Sequence, residues 1–342
     1  MWNSRLFPRQ DLYRNRLAAL ACATVAAGTA ALLPATSARA AWPDKPITII
    51  VPFPAGGGTD VVMRSVQPLL AKALNQTIIV ENRAGAGGTI GSGQVARAQP
   101  DGYTAVLATT STHAVSVSVY SNLAYDPRKD FAYAGFIGVS PYVLAVAPKL
   151  QADTSRPLDL KTLTARMKQG TTPYNLASVG VGTVSHLLGE QFGRDAGVQL
   201  THVPYRGAAP AYTDLIGGQV DLMFDNPIAM AAYAKAGKII PVATTASTAL
   251  LPDVPTFAQQ GMQGYTQTLW YGLAFPKNTP AAVVQRFNAE LNKVLTDPDL
   301  VADLSRKGID AKPGTPDAMA KAVDLDVAYW GRIASAVGAR ID

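Results

Sequence analysis

Cysteine occurs once in the 342 residues, at Cys22, and histidine only at His113, His186 and His202. A single cysteine excludes any intrachain disulfide, and a chain of this length can be held by its own core without one. With no HExxH, no GxSxG and no cysteine placed as a nucleophile, hydrolytic and metal-dependent enzyme classes lack their parts. Charge is also sparse: Asp, Glu, Lys and Arg make up 16% of the chain, for a net +6. Most of that excess sits in the first 40 residues, where Arg5, Arg9, Arg14, Arg16 and Arg39 face only Asp11. The remainder is too small and too scattered to recruit nucleic acid or anionic lipid. No apolar run after residue 41 approaches the length of a membrane span.

What is present begins with an export signal. The basic residues precede an apolar run from Leu17 to Leu33, and Ala38-Arg39-Ala40 supplies small residues at a cleavage spacing. The run is short for a bilayer-spanning helix and is broken at Pro34. Cys22 has Ala19 three residues before it, where a lipoprotein signal would carry Leu. The expectation is a signal peptide, residues 1–40, removed after Ala40, and a protein of the bacterial periplasm.

The rest of the chain carries one pattern twice. Ile47–Phe53 reads as a strand leading through Gly56-Gly57-Gly58 into a helix with Val62, Val66, Leu70 and Leu74 on one face. A strand over Thr77–Val80, the loop ENRAGAGGTIG, a helix to Arg97 and a strand over Thr104–Ala108 follow. In the second half, Tyr174–Ser178 leads through Gly180 and Gly182 into a helix bearing Val184, Leu187, Leu188 and Phe192. A strand over Leu200–Val203, the loop PYRGAAPAY, a helix through Leu215 and a strand over Val220–Phe224 complete the match. Alternating strands and helices imply an α/β fold with mostly parallel sheets flanked by helices, binding ligands at the strands' carboxyl ends. The expected organisation is two lobes, residues 41–143 with 265–342 and residues 144–264, crossing near Gly135–Pro148 and Gly264–Pro276. Helices are expected after Pro280 and from Pro316 to the end, and Pro68 should kink or restart the first helix.

The chemistry falls on the loops. Gly56–Gly58 lacks the Gly-Lys-Ser/Thr of a phosphate loop, and Asp60 would repel a phosphate. GSGQVA at Gly91–Ala96 has no strand directly before it, so a dinucleotide is not expected. Gly56–Gly58, Gly85–Gly88, Gly180–Gly182 and Gly207 either serve turn geometry or expose N–H groups to one cleft, beside Thr59, Thr109, Thr110, Ser111, Thr112 and Thr183. Amides and hydroxyls without a lysine suit a small carboxylate. Arg206 is the cation placed to help, unless it forms a surface or interlobe ion pair. His186 is either a binding donor or a polar residue of a packed helix. Ser185 beside it cannot act with it as nucleophile and base, because adjacent helix residues do not face each other. His202, in a strand, reads as structural. Trp270 either shapes the pocket or packs the hinge.

ITIIVPFPAGGGTD, IIVENRAGAGGTIGSGQVARAQPDGYT, LASVGVGTVSHLLGEQF, VPYRGAAPAYTDLIGGQVDLMFDN and WYGLAFPKNTP occur in this order from Ile47 to Pro280. Together they resemble the Bug-type periplasmic solute-binding receptors of the tripartite tricarboxylate transporters, a likeness running from about Trp42 to the C-terminus. The resemblance implies a two-lobed periplasmic binding protein of the Venus-flytrap type, without catalytic activity, cofactor or metal, which delivers an organic carboxylate to membrane permease subunits. It also implies a ligand site at Pro54, Ala55, Gly56, Gly57, Gly58, Thr59 and Asp60, at Gly180, Gly182, Thr183 and His186, and at Tyr205, Arg206, Gly207 and Asp225. Ala84 and Arg206 depart from the family's usual Pro and Lys without touching the fold. The hydroxyl-rich stretch Ala108–Tyr120 carries no Lys or Arg, which favours one or two ligand carboxylates over three, on an aliphatic or aromatic body. A monomer is expected, and an orphan receptor serving a membrane kinase is the other reading.

Overall fold

The computed structural model describes residues 42–151 and 156–341; the leader reading therefore lies outside the described residues. The elements in chain order are β1 (Ile47–Val51), α1 (Gly58–Leu74), β2 (Ile78–Asn82), α2 (Thr89–Ala96), β3 (Thr104–Thr109), α3 (Ser116–Val119), β4 (Phe131–Pro141) and β5 (Val143–Val146). They continue as α4 (Leu160–Gln169), β6 (Tyr174–Ser178), α5 (Val184–Ala196), β7 (Leu200–Pro204), α6 (Ala208–Ile216), β8 (Leu222–Asp225), α7 (Pro227–Lys235) and β9 (Ile240–Thr244). The last are β10 (Thr268–Pro276), α8 (Ala281–Val294), α9 (Pro298–Ser305), β11 (Asp310–Ala311) and α10 (Pro316–Val337).

Two sheets result, ordered β11-β4-β10-β3-β1-β2 and β7-β6-β8-β5-β9. The repeat read from the sequence is present in their topology. β1 lies between β2 and β3, parallel to both, as β6 lies between β7 and β8. Ile47, Ile49, Ile50 and Val51 are all buried, as a strand covered on both faces requires. The sheets are mixed, however, because β10 runs against β3 and β4, and β5 against β8 and β9. Each of these strands arrives from the other lobe. It starts at the cleft and runs away from it, opposite to strands whose carboxyl ends face the cleft.

The outward crossing occurs at Tyr142, between the end of β4 and the start of β5. Thr245, just past β9, is tied to it in both directions: Tyr142 N donates to Thr245 Oγ1 at 2.9 Å and Thr245 N to Tyr142 O at 2.9 Å. The Thr245 hydroxyl then donates to Gln267 O on the return segment at 2.6 Å. Outward and return chains are thus knitted together at one point.

Pro68 does not restart the first helix, which runs as one element through Leu74. The residue lies on the exposed face, where water can take the carbonyl that the missing N–H frees. The helix ends at Asn75 in the left-handed conformation, φ 51°. At the other end of the chain, α10 buries Met319, Val323, Trp330 and Ala334 and packs on β4 and α5, joining elements of both lobes.

Candidate functional site

Between the carboxyl ends of the two sheets lies a cleft cavity of about 300 Å³. The first lobe contributes Phe53 through Thr59, Thr109, Ser111 and Tyr142. The second contributes Val179, the run Arg206–Pro210, Tyr212, Asp225, Asn226, Ala229 and Tyr233. Most of the wall is apolar or aromatic, so the few polar groups decide what can occupy it.

Two helix N-termini open onto this space without a side-chain cap. α1 starts after Gly57 and α6 after Gly207, and neither N-cap residue offers an acceptor. The first N–H groups of a helix have no intrahelical acceptor, so those of Gly58, Thr59, Ala208 and Ala209 are left for an outside partner. Together with the helix dipoles, they favour an anion. α7 also begins at the cavity, but it caps itself: Asn226 Oδ1 accepts from Ile228 N at 3.1 Å.

Asp60 has a different task from the one expected of it. Its carboxylate accepts from Gly56 N at 2.9 Å, Arg64 Nε at 2.9 Å and Asn82 Nδ2 at 3.0 Å. Burial works against the charge, while the bonds from Arg64, Gly56 and Asn82 hold its pKa below the ordinary value. It pins the glycine loop to β2 and does not line the cavity.

Asp225 is the acid that does line it. It is 5% exposed, and burial pushes its pKa up to about 6 against the bonds it accepts. Tyr212 donates its hydroxyl to Oδ2 at 3.0 Å and Asn226 its amide to Oδ1 at 3.0 Å. Arg206 is exposed and forms no ion pair among the described residues, which leaves its guanidinium free for a ligand.

The glycines mark where the lobes meet. A Cβ on Gly58 would lie 2.6 Å from Asn226 Nδ2, and one on Gly207 would lie 2.8 Å from Pro54 Cγ. Both pairs cross from one lobe to the other, so side chains there would prop the cleft open. Tyr120 reaches across as well, donating to Val181 O at 3.0 Å, and Val184 N donates to Ser111 Oγ at 3.2 Å.

Of the sequence-derived site, Pro54, Ala55, Gly56, Gly57, Gly58, Thr59, Thr109, Ser111, Arg206, Gly207 and Asp225 are brought together here. Gly180 and Tyr205 line an adjoining cavity of about 630 Å³ that shares Pro54, Arg206 and Gly207 with the first, and the Tyr205 hydroxyl is committed to Asp214 Oδ2 at 2.5 Å. Thr110 is not at the wall; its hydroxyl accepts from Trp270 N at 3.0 Å. Trp270 packs the hinge instead of the pocket, its indole N–H donating to Asp326 Oδ2 at 2.6 Å and its ring meeting Phe136 edge-on. Strand alternation on β10 places its neighbour Leu269 at the cavity.

The loop before α5 departs most from expectation. Thr183 caps that helix itself, accepting from His186 N at 3.5 Å, and Gly182 packs under Tyr120. His186 turns from the cleft and stacks on His202 at 3.8 Å between centroids. Burial first, and His202 second, lower its pKa to about 3. Most of Ala108–Tyr120 is likewise buried, His113 completely so. The lining residues missed include Tyr142, Tyr212, Asn226, Tyr233 and Ala208–Pro210. Asn226 follows Asp225 directly, and Ala208–Pro210 stand beside Gly207 at a helix start, which was the available signal.

Comparison with known proteins gives a consistent picture. The profile of the tripartite tricarboxylate transporter family receptors matches residues 62–339. An uncharacterised-family protein from the tcbD-tcbE intergenic region of Pseudomonas sp. (strain P51) is 36% identical over 90% of this chain and 92% of its own. Among solved structures, the periplasmic binding protein BugD is 34% identical, with a TM-score of 0.80 over 88% of this chain and 100% of its own. MatC from Rhodopseudomonas palustris, with bound malate, is 32% identical, with a TM-score of 0.79 over 85% of this chain and 99% of its own. An R. palustris protein with adipate is 31% identical, with a TM-score of 0.81 over 88% of this chain and 100% of its own.

Proposed function

The chain belongs to the tripartite tricarboxylate transporter receptor family, and from that premise we propose that it closes on a small organic carboxylate and hands it to the permease subunits of such a transporter. The observation that carries this reading is the pair of uncapped helix N-termini, α1 and α6, converging on one cavity. A carboxylate there takes the free N–H groups of Gly58 and Thr59 from one lobe and of Ala208 and Ala209 from the other. One ligand group then holds both lobes, which is what stabilises closure. Arg206 adds a charged contact at the edge.

The ligand's other end meets Tyr142, Tyr212, Tyr233 and Leu269, with Asp225 among them. That surface suits a short aliphatic or aromatic body bearing one carboxylate or two, and it offers no second cation for a third. Relatives holding malate and adipate support an acid of this size. The protein acts as a monomer in the periplasm, without turnover, after its leader is removed behind Ala40. Its lobes are residues 41–143 with 265–342 and residues 144–264, hinged at Tyr142 and Thr245.

A thermal-shift screen of aliphatic dicarboxylates, tricarboxylates, hydroxy and amino acids and aromatic acids tests this. A ligand at about a hundred times its dissociation constant stabilises by about 2.7 kcal/mol, a rise of a few degrees in Tm. One class of mono- or dicarboxylate should give that rise. No rise with any acid, and no acid released from the denatured protein, would overturn the reading.

A further inference from the structure

One polar atom beside the cavity is unaccounted for. The Tyr271 hydroxyl is fully buried and makes no hydrogen bond among the described residues, although native structures satisfy almost all such groups. Two placements put its side chain on the cavity face of the first sheet. Tyr271 stands two residues after Leu269 on β10, hence on the same side of that strand, and directly opposite Thr109 of β3. Leu269 and Thr109 both line the cavity. Asp225 and Tyr142 face the same spot: burial first and the Asp225 charge second push the Tyr271 pKa up, and burial, then Tyr271 and Asp225, do the same to Tyr142.

We propose that the hydroxyls of Ser111, Tyr142 and Tyr271, together with Asp225, seat a second carboxylate of the ligand, so that the protein selects a dicarboxylate over the monocarboxylate of equal length. The inference rests on the reading of α1 and α6 as the seat of the first carboxylate.

The wall at this place gives protons and takes few. Ser111 Oγ accepts from Val184 N at 3.2 Å and has its own proton to give beside Tyr142. Neutral phenols add two more donors. A carboxylate, which only accepts, can take all of them, whereas an ammonium group, which only donates, would leave Tyr271 without a partner. Asp225 does not stand in the way. Its oxygens already accept from Tyr212 and Asn226, and burial pushes its pKa up to about 6. A second anion beside it raises that value further, so Asp225 takes a proton from solvent and meets the ligand as a neutral acid able to share it. The titratable groups around it, Tyr142, Tyr212 and Tyr271, are kept neutral by burial. Arg206 is the charged residue on the same wall, where it serves the first carboxylate.

The test compares matched pairs by titration calorimetry at pH 6: succinate with butyrate, glutarate with valerate, and adipate with hexanoate. The dicarboxylate of at least one pair should bind ~10-fold or more tightly than its partner. Tyr271→Phe removes the orphan hydroxyl and little else, and it should cut that ratio at least ~5-fold. Asp225→Asn removes the charge while keeping a donor, so at pH 7.5 the variant should bind the dicarboxylate at least as tightly as the parent. Circular dichroism reports whether each variant is folded, and either one decides the matter alone. Pairs bound alike, a ratio unchanged in folded Tyr271→Phe, as a water on that hydroxyl would give, or a ~10-fold loss in folded Asp225→Asn would overturn the proposal while leaving the first carboxylate seat standing. If neither member of any pair binds, both fall together.

Discussion

The loop before α1 and the loop before α5 occupy matching places in the two lobes, yet they finish their helices differently. At α1 the N-cap is Gly57, which supplies no acceptor, and Asp60 braces the loop from behind while the first helical N–H groups face the cavity. At α5 the N-cap is Thr183, which satisfies its own helix, and the loop leans on Ser111 and Tyr120 of the other lobe. The second-lobe counterpart of α1 is therefore α6, behind Gly207, which again has no cap of its own. The two lobes share a topology, but the uncapped helix end at the cavity belongs to the first helix of the unit in one lobe and to the second in the other.

The largest effect that would break this comparison is steric. Gly58→Val places atoms where Asn226 sits in the closed form, so affinity should fall more than ~100-fold, about 2.7 kcal/mol. Calorimetry with the best acid from the screen checks it, and circular dichroism should show the fold retained. Gly57, whose Cβ would meet nothing closer than Pro54 O at 3.4 Å, has space for a small side chain, and Gly57→Ala should bind far better than Gly58→Val.

The next effect is electrostatic. Burial holds the Asp225 pKa up at about 6 in this structure, and we expect opening of the cleft to expose the carboxyl and return it toward the ordinary 3.8. Between those values the closed form holds a proton that the open form has released, so affinity falls as pH rises through this window and levels off above it. Binding should be about tenfold tighter at pH 5 than at pH 7.5, and Asp225→Asn should flatten the profile. A flat profile in the parent protein would separate Asp225 from closure. Arg206→Ala follows, with a loss of about 1.5–3 kcal/mol if the guanidinium meets the ligand directly.

The smallest effect sharpens the contrast. Thr183→Ala removes the α5 cap and should cost about 1 kcal/mol of stability in denaturant unfolding, while changing ligand affinity less than twofold. A large loss of affinity would return α5 to the binding site.

How much of this could be read from the sequence follows from where the information is local. The repeated units were legible because β1 and β6 are short apolar runs ending in glycine, and the helices after them carry apolar residues at helical spacing. The mixed sheets were not, since the direction of β5 and β10 depends on which lobe the chain has just left. Glycine loops announced a close approach, but whether a glycine admits a ligand or the other lobe is settled only across the cleft, as Gly58 and Gly182 show. The sequence reading puts Asp60 at the ligand and leaves Trp270 between pocket and hinge, whereas their side chains are spent on Arg64 and Asp326, partners that a residue's type does not reveal. His202 reads as structural from its place in a strand; that His186, sixteen positions earlier, stacks on it is not legible locally, because the two meet only when β7 pairs with β6.

The most direct measurement is a crystal structure of the protein with the acid that stabilises it most. The account predicts a carboxylate whose oxygens lie within about 3 Å of N–H groups from both α1 and α6, with Val184 N still bonded to Ser111. A carboxylate held instead by the Gly180–His186 segment, with the α1 and α6 N-termini unoccupied, would contradict it.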